Sequence, residues 1–475
     1  MSIKFAGCLL SLLVPLFIAY RLGMGFGLRP TGRRILLVLF AAAGGLCTAF
    51  LGSFALGGGP VPVFLQWWLR LLFAGGLLFL LETGFTRLLP DLRGAWVVAA
   101  ASLTLAAVML LPSYLPDAPR AFARLLLFIG AYVGLHMFIL WRLRGLQLSL
   151  GRMKLPLVLC YGLAAGLFPL YFIHGPRLLL WPAGIWMGCM GITGTCLAGE
   201  TVLSRLIPSR RRTWLQLALV ASLALVCLAF YNGTRTPRVR HLHLHLGHLP
   251  PAARGFRLVH LSDLHLGGVE SLTWLRQTVA KVNALHADAV VITGDFFDRD
   301  VPEGKQDIIK RLRATYGILA VPGNHEFYMD VYRAARQAGS MKVRMLRNEH
   351  VNIAPGIQIA GIDDPMGFHF HNGGPDIAKA LAGTSPDQAV ILLSHRPVIR
   401  FRGRWHLQLA GHFHSGQIPP LSLLLPLVHR YSHGLYRMGA AYLYVSPGTG
   451  VWGMPMRLFS RSEITCITLL QAAEK

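Results

Sequence analysis

The pattern of apolar and polar positions along this chain changes character once, near Arg240. Before that point apolar residues come in long stretches; after it they come in runs of about five, separated by polar turns. An α-helix needs roughly 20 apolar residues to cross a bilayer. Eight segments approach that length: 5–19, 35–56, 63–81, 95–115, 125–141, 155–173, 178–197 and 214–231. The first is short, but it lacks a small-residue cleavage pattern and is read as an anchor rather than a signal peptide. A polar Gly/Pro stretch, 232–237, then predicts a linker, with a soluble domain over 238–475.

Beyond the linker, residues 256–261 (FRLVHL), 289–293 (AVVIT), 317–321 (GILAV) and 389–393 (AVILL) read as buried strands. Stretches 272–285 and 308–316 have helical character, so the second half predicts an α/β domain. Residues with metal-binding chemistry fall just past the ends of these strands. They are Asp263 and His265, then Asp295, then Asn324 and His325, then His395, followed by His412 and His414. Open α/β sheets build their sites at that edge. Taken singly, each residue has an ordinary explanation, since Asp and Asn after a strand usually form turns. Eight of them in this order predict a dinuclear centre. All are oxygen or nitrogen donors and none is Cys, a set suited to Mn²⁺, Fe or Zn²⁺. Two such ions activate water and neutralise charge on a phosphoryl group.

These motifs resemble the calcineurin-like metallophosphoesterase superfamily, and most closely its membrane-anchored branch with an N-terminal multi-span region. The resemblance extends to Leu393-Ser-His-Arg-Pro397, Tyr444-Val-Ser-Pro-Gly448, Arg457 and Glu463. It implies a two-sheet β-sandwich flanked by helices in four layers, and hydrolysis of a phosphomono- or diester. By the same resemblance Asp263, His265 and His414 would hold one metal, Asn324, His395 and His412 the other, and Asp295 would bridge them. His325 would not ligate but would assist the leaving oxygen, a role that suits an imidazole beside a metal centre. Phe413 and Ser415 depart from the family pattern around the last ligand, which bears on the pocket lining and not on the ligands.

Charge assigns a topology. Loops one, three, five and seven between the eight segments carry 14 Lys or Arg residues; loops two, four and six carry 3. Cytoplasmic loops hold the basic excess, so the odd loops read as inside. The seventh ends in Arg210-Arg211-Arg212, which sends the catalytic domain to the extracytoplasmic side, although Arg235, Arg238 and Arg240 pull the other way. The formal net charge is +25, of which +18 lies in residues 1–240. Such a distribution predicts no nucleic-acid partner, because a nuclease needs a basic face on its own domain. Six of the seven Cys lie in or beside the apolar segments, so no disulfide framework is expected in the soluble half.

Three further features are ambiguous or secondary. The alternation His241-Leu-His-Leu-His245 reads as a half-buried strand in preference to a metal tract. Arg70 lies inside a predicted span and is either functional or snorkelling. The run 421–428 is either a core strand or an apolar loop dipping into the bilayer, with Leu423, Leu424 and Leu425 as docking residues. Two functions compete. One is a membrane-bound phosphoesterase acting on a phosphoester, lipid-linked if the run docks. The other is a transporter or sensor whose membrane half is the active part. With Glu82 and Glu200 read at span ends, few charges remain for mid-membrane transport chemistry, which favours the enzyme.

Overall fold

The computed structural model describes residues 117–146, 153–174, 177–246, 249–397 and 405–471. The chain divides into two compact units, Met1–Leu223 and Ala224–Lys475. In the first unit the described elements are long helices: α1 (Asp117–Leu143), α2 (Lys154–His174) and α3 (Arg177–Leu206). A fourth, α4 (Arg211–Thr234), leads into the second unit. Predicted spans five to eight fall on these four helices. The first four spans, with Arg70 and Glu82, lie outside the described residues. Among the described residues one helix, Pro208–Thr234, is long and apolar enough to cross a membrane.

Two charges depart from expectation. Glu200 lies inside α3, not at its end, and is buried. Arg142, counted as a loop charge, belongs to the last turn of α1 and is buried too. Its Nε donates to Glu200 Oε2 at 2.8 Å, and the Ser204 hydroxyl also donates to this carboxylate. Pairing is what allows both charges inside a helix bundle.

The second unit contains two six-stranded sheets with helices on their outer faces. Its elements in chain order are β1 (Arg238–Leu246), β2 (Arg257–Leu261), α5 (Leu272–Asn283), β3 (Ala289–Thr293), α6 (Glu303–Ile309) and β4 (Ile318–Val321). After these come α7 (Asn324–Tyr328), α8 (Val331–Ser340), β5 (Val343–Met345), β6 (Glu349–Ala354), β7 (Ile357–Gly361) and the short helices α9 (Met366–His369) and α10 (Ile377–Leu381). Then follow β8 (Ala389–Leu393), β9 (Leu407–Ala410), α11 (Leu421–Val428), β10 (Gly434–Met438), β11 (Ala441–Val445) and β12 (Glu463–Gln471). One sheet runs β1-β12-β2-β3-β4-β5 and the other β10-β11-β9-β8-β7-β6. Both are mixed: β2 to β5 are parallel while β12 is antiparallel to β2, and β7, β8, β9 and β11 are parallel while β6 and β10 are antiparallel edges.

Alternation along each strand builds the layers. Leu258, Ala289, Val291 and Leu319 face Ile359, Ile391, Leu393 and Leu409 between the sheets. Val259, Val290 and Ile292 face Leu275, Val279, Ile308 and Ala338 of the covering helices. On the far side Ala360, Val390 and Leu392 pack on Ala380 of α10. The His/Leu alternation in β1 behaves as expected, with the three His exposed and Leu244 and Leu246 buried.

Two local expectations fail. The helix expected over 308–316 lies earlier, at Glu303–Ile309, where Pro302 precedes it and Glu303 opens the first turn. Residues 310–316 turn back instead, because Thr315 N and Tyr316 N donate to Ala287 O and Asp288 O at 3.3 and 2.7 Å to launch β4. The run 421–428 is neither strand nor loop but the helix α11. Ser422 and Leu425 point inward, while Leu423, Leu424, Leu427 and Val428 face solvent. Leu425 therefore packs inside and is not a docking residue.

Candidate metal centre

The carboxyl ends of β2, β3, β4, β8 and β9 open into five loops, and those after β2, β3 and β9 deliver their residues by sharp turns. Asp263, His265, Asp295, His412 and His414 all have positive φ, between 46° and 78°. Few non-Gly residues adopt that conformation. Gly323 and Gly411 make the close packing possible: a Cβ on Gly323 would strike the Asp295 carboxylate, and one on Gly411 would strike Ser262 Oγ and Asp263 Oδ2.

The predicted residues converge. Asp263, His265 and His414 offer ligand atoms within 4.8 Å of one another, and so do Asp295, His395 and His412. In the first group His265 Nε2 and His414 Nε2 face each other at 3.0 Å, and His414 Nε2 is 3.5 Å from Asp263 Oδ1. In the second, His412 Nδ1 and His395 Nε2 are 3.0 Å apart. Asp295 joins the two: its Oδ2 is 3.2 Å from His395 Nε2 and 3.8 Å from His265 Nε2. Asn324 opens α7, and its buried Oδ1 has no hydrogen-bond partner. Paired imidazole lone pairs, two buried carboxylates and an orphan amide oxygen fit divalent cations well.

Ring orientations are set from behind the ligands. His395 Nδ1 donates to Thr293 O at 2.9 Å, which frees Nε2 toward Asp295. His265 Nδ1 lies 2.9 Å from Asp298 Oδ1, and His325 Nδ1 lies at the same distance from the same oxygen. Asp298 thus holds a candidate ligand and the candidate acid together. Another group of close ligand atoms contains His265, Asp295 and His325. Asp298 holds the Nδ1 of His325, whose ring lies edge-on to those of Tyr328 and Trp452, at 5.3 and 5.8 Å. Both aromatic rings are exposed, which makes His325 part of a rim.

Three buried groups staple the loops. Glu326 accepts from Gly323 N, Asp295 N and Phe297 N at 2.7, 3.0 and 2.9 Å. The Asp263 carboxylate accepts from His412 N at 3.1 Å. Arg457, fully buried, donates to Pro447 O, Gly450 O and His414 O at 2.8, 2.7 and 3.3 Å and lies 3.2 Å from His414 Nδ1. Sequence reasoning assigned no role to Asp298, Glu326 or Arg457. Asp298 and Glu326 stand in the sequence as carboxylates three residues after Asp295 and one after His325, and Arg457 stands among the residues of the family resemblance, with no partner indicated for any of the three. Phe413, the family departure, packs against a small core of Ala410, Leu443 and Val445, with His429 4.9 Å from its ring.

Electrostatics follow the geometry. Burial alone would lower His395, but the Asp295 and Asp263 carboxylates raise it to about 10. His325 is likewise opposed by burial and raised to about 9 by Asp295 and Asp298. Burial pushes His412 and His414 well below the usual imidazole range, helped by His395 beside the first and by His265 and Arg457 beside the second. Burial raises Glu326 to about 6, reinforced by Asp295. An environment that draws protons onto His395 draws a metal cation in their place, while the neutral His412 and His414 are ready to ligate.

The calcineurin-like phosphoesterase family profile matches residues 256–416. A transmembrane protein with metallophosphoesterase domain from Danio rerio is 34% identical over 302 residues, covering 60% of this chain and 69% of that protein. One of the same description from Bos taurus is 37% identical over 277 residues, covering 54% of this chain and 62% of that protein, so under two thirds of its length is matched. An uncharacterized metallophosphoesterase from Helicobacter pylori is 34% identical over 275 residues, 56% of this chain and 73% of that protein. A sandwich of two mixed sheets with donor-rich loops at one edge defines a metal-dependent phosphoesterase domain. This chain belongs to the calcineurin-like metallophosphoesterase family, whose members use divalent metals.

Proposed function

We propose that the chain is a membrane-bound phosphoesterase that uses two divalent ions, with its catalytic domain on the extracytoplasmic side. The observation that carries this is the convergence of two ligand groups on Asp295 beside an orphan Asn324 Oδ1. Asp263, His265 and His414 would hold one ion and Asn324, His395 and His412 the other, with Asp295 shared; the donor set suits Mn²⁺, Fe or Zn²⁺. Bound there, two such ions supply Lewis acidity to the phosphoryl group and to water.

The protein's own groups handle the proton. Asp298 occupies His325 Nδ1, so Nε2 is the nitrogen that would carry the transferable proton. As the water oxygen bonds to phosphorus and the ester P–O bond breaks, His325 gives its proton to the leaving oxygen. Arg396 adds positive charge; its Nε is fixed by Asp364 Oδ2 at 2.8 Å and its side chain is 36% exposed, so it can still meet a phosphoryl oxygen. The transporter or sensor alternative is not favoured, since Arg142 and Glu200 neutralise each other.

Hydrolysis of p-nitrophenyl phosphate and its bis ester by purified full-length protein, with metal content by elemental analysis, tests this. Asp295→Asn should lose metal and activity together. His325→Ala should keep the metals and lose about 10²–10⁴-fold in rate. Equal metal loss in both variants would overturn the role of His325. For orientation, the exposed Arg210-Arg211-Arg212 at the start of α4 supports an outside domain. A reporter active only outside the cytoplasm, fused after Lys475, should work; a reporter active only inside would reverse the topology.

A further inference from the structure

Sheet register fixes where the chain enters the catalytic domain. Arg238, the first residue of β1, pairs with Glu463, the first of β12, and Thr465 pairs with His260 near the carboxyl end of β2. Asp263 lies just beyond that end. Helix α4 therefore delivers the chain to the pole of the domain that carries the candidate ligands. The junction is bolted: Arg457 N donates to Ala229 O at 2.8 Å, and Trp274 Nε1 donates to Arg235 O at 3.0 Å. Lys281 Nζ reaches Thr236 Oγ1 at 2.7 Å, and Gly233 lies flush on the Pro455–Met456 backbone, where a Cβ would not fit.

The level of a membrane surface is marked on the same helix. The Arg235 guanidinium lies 4.7 Å over the Tyr231 ring, an aromatic and basic pair of the kind that anchors a span end among headgroups. Ala229 precedes Tyr231 by about 3 Å along the helix axis. With α4 spanning a bilayer, the segment hydrogen-bonded to Ala229 would lie at or just below headgroup level.

Around that segment the surface is apolar without a packing reason. Gln417 is its hub. Its Nε2 donates to Trp452 O and Met454 O at 3.0 and 2.9 Å, and its carbonyl accepts from Leu458 N at 2.8 Å. Trp452 is exposed, Phe459 is 64% exposed with φ +62°, and on α11 Leu423, Leu424, Leu427 and Val428 face out, Leu427 at 80%. His429, Arg430 and Arg461 border them, all exposed. An apolar rim with a basic border is the composition of an interfacial element.

We propose that this pole docks onto the lipid surface into which α4 leads, with α11, Phe459 and Trp452 immersed at the headgroup boundary. Trp452, whose ring is 5.8 Å from that of His325, then joins the lipid surface to the catalytic rim. The substrate class that fits is a phosphoester amphiphile held in the same leaflet; this part rests on the phosphoesterase reading above.

Docking is tested on the full chain in membranes, with benzoylphenylalanine replacing Leu427 or Phe459, and Tyr316 at the opposite pole as control. Irradiation should give lipid adducts at the first two positions and none at 316. Protein–protein adducts in place of lipid, or equal lipid labelling at 316, would overturn the docking. Substrate class is tested with Leu424→Ser/Leu427→Ser on phosphatidic acid in phosphatidylcholine vesicles and on p-nitrophenyl phosphate. The ratio of the two kcat/KM values should fall by about 10²-fold or more, since each fully inserted Leu side chain is worth at least about tenfold. An unchanged ratio would overturn the amphiphile assignment. Lipid adducts with neither ester hydrolysed by the unmodified protein would instead sink the phosphoesterase reading and leave the docking standing.

Discussion

Asp298→Asn is the substitution that most sharply separates metal binding from proton transfer. One carboxylate oxygen, Oδ1, stands 2.9 Å from Nδ1 of both His265 and His325. The group is buried, and the two imidazoles hold it well below the usual carboxylate range against the opposing effect of burial. Asn keeps the shape and one acceptor but removes the charge. For His265 the loss is that of an orienting partner behind a metal ligand, about 10–100-fold in metal affinity, or about 1.4–2.8 kcal/mol. For His325 the loss is orientation and proton affinity, bounded by the roughly 10²–10⁴-fold that removal of a general acid costs.

The two effects separate by titration. With metal added until the Asp298→Asn protein is saturated, kcat should remain about 10²-fold below that of the unmodified protein, near the lower bound for a lost general acid. His325→Ala should show a similar kcat loss with metal affinity near its original value. In the double variant kcat should be no lower than in His325→Ala alone, because Asp298 acts on the rate through His325, while metal affinity stays weakened. Two routes refute the reasoning. Full recovery of kcat at saturating metal would show that Asp298 serves the metal only; multiplicative rate losses would show that it acts apart from His325.

Three other expectations follow from the same geometry. Arg457→Met strands the buried carbonyls of Pro447, Gly450 and His414, and should destabilise the domain by about 2–4 kcal/mol, read from thermal unfolding; a Tm within a degree of the original would contradict it. Gly411→Ala drives a Cβ into Ser262 and Asp263 and should lower metal content without abolishing the fold, measured by elemental analysis beside circular dichroism. In the metal-free protein His395, raised to about 10, holds a proton at pH 8 and must surrender it to ligate. Metal titrated at pH 8 should therefore release protons, with calorimetric enthalpies that scale with buffer ionisation enthalpy; the effect should shrink as pH rises through 10.

What the sequence reveals and what it hides have distinct physical causes. Buried parallel strands demand unbroken Val, Ile and Leu, so β3 and β8 are legible to the residue and β2 and β4 to within one. A short apolar run has no period to read, and 421–428 satisfies a helix as well as a strand. Only the burial of Ser422 and Leu425 against the exposure of Leu423, Leu424 and Leu427 reveals the helical face. Helix ends are hidden for a related reason. Apolarity stops near residue 197, but α3 continues to Leu206 and buries Glu200 against Arg142 on another helix, a tertiary pairing that no local pattern announces. The ligand residues could be identified by type and order. Their supporting partners could not, since Asp298 looks like any surface carboxylate until the fold buries it between His265 and His325, and Arg457, although part of the family resemblance, has no target until the loops close on it.

The same distinction explains how the centre is held in shape. Five of its residues sit at positive φ, a conformation that costs about 1–3 kcal/mol per non-Gly residue. Such strain persists only where the surroundings over-determine it, and here the loops bind one another. Asp263 N donates to Gly294 O at 3.1 Å, His265 N to Asp295 O at 2.9 Å and Gly411 N to His395 O at 2.8 Å. His325 N and His412 N close onto the Asp295 and Asp263 carboxylates. Each strained turn is thus fixed by the next loop's backbone, and the donors are aimed by protein hydrogen bonds. A ligand substitution such as His265→Gly should accordingly relieve local strain, since only a residue without Cβ adopts φ near 50° freely, while emptying a coordination position. The variant is expected to melt no lower than the parent when both are stripped of metal, and to lose only the stabilisation that added metal confers. A lower Tm for the stripped variant would mean that the imidazoles, and not the backbone bonds between loops, hold the turns in place.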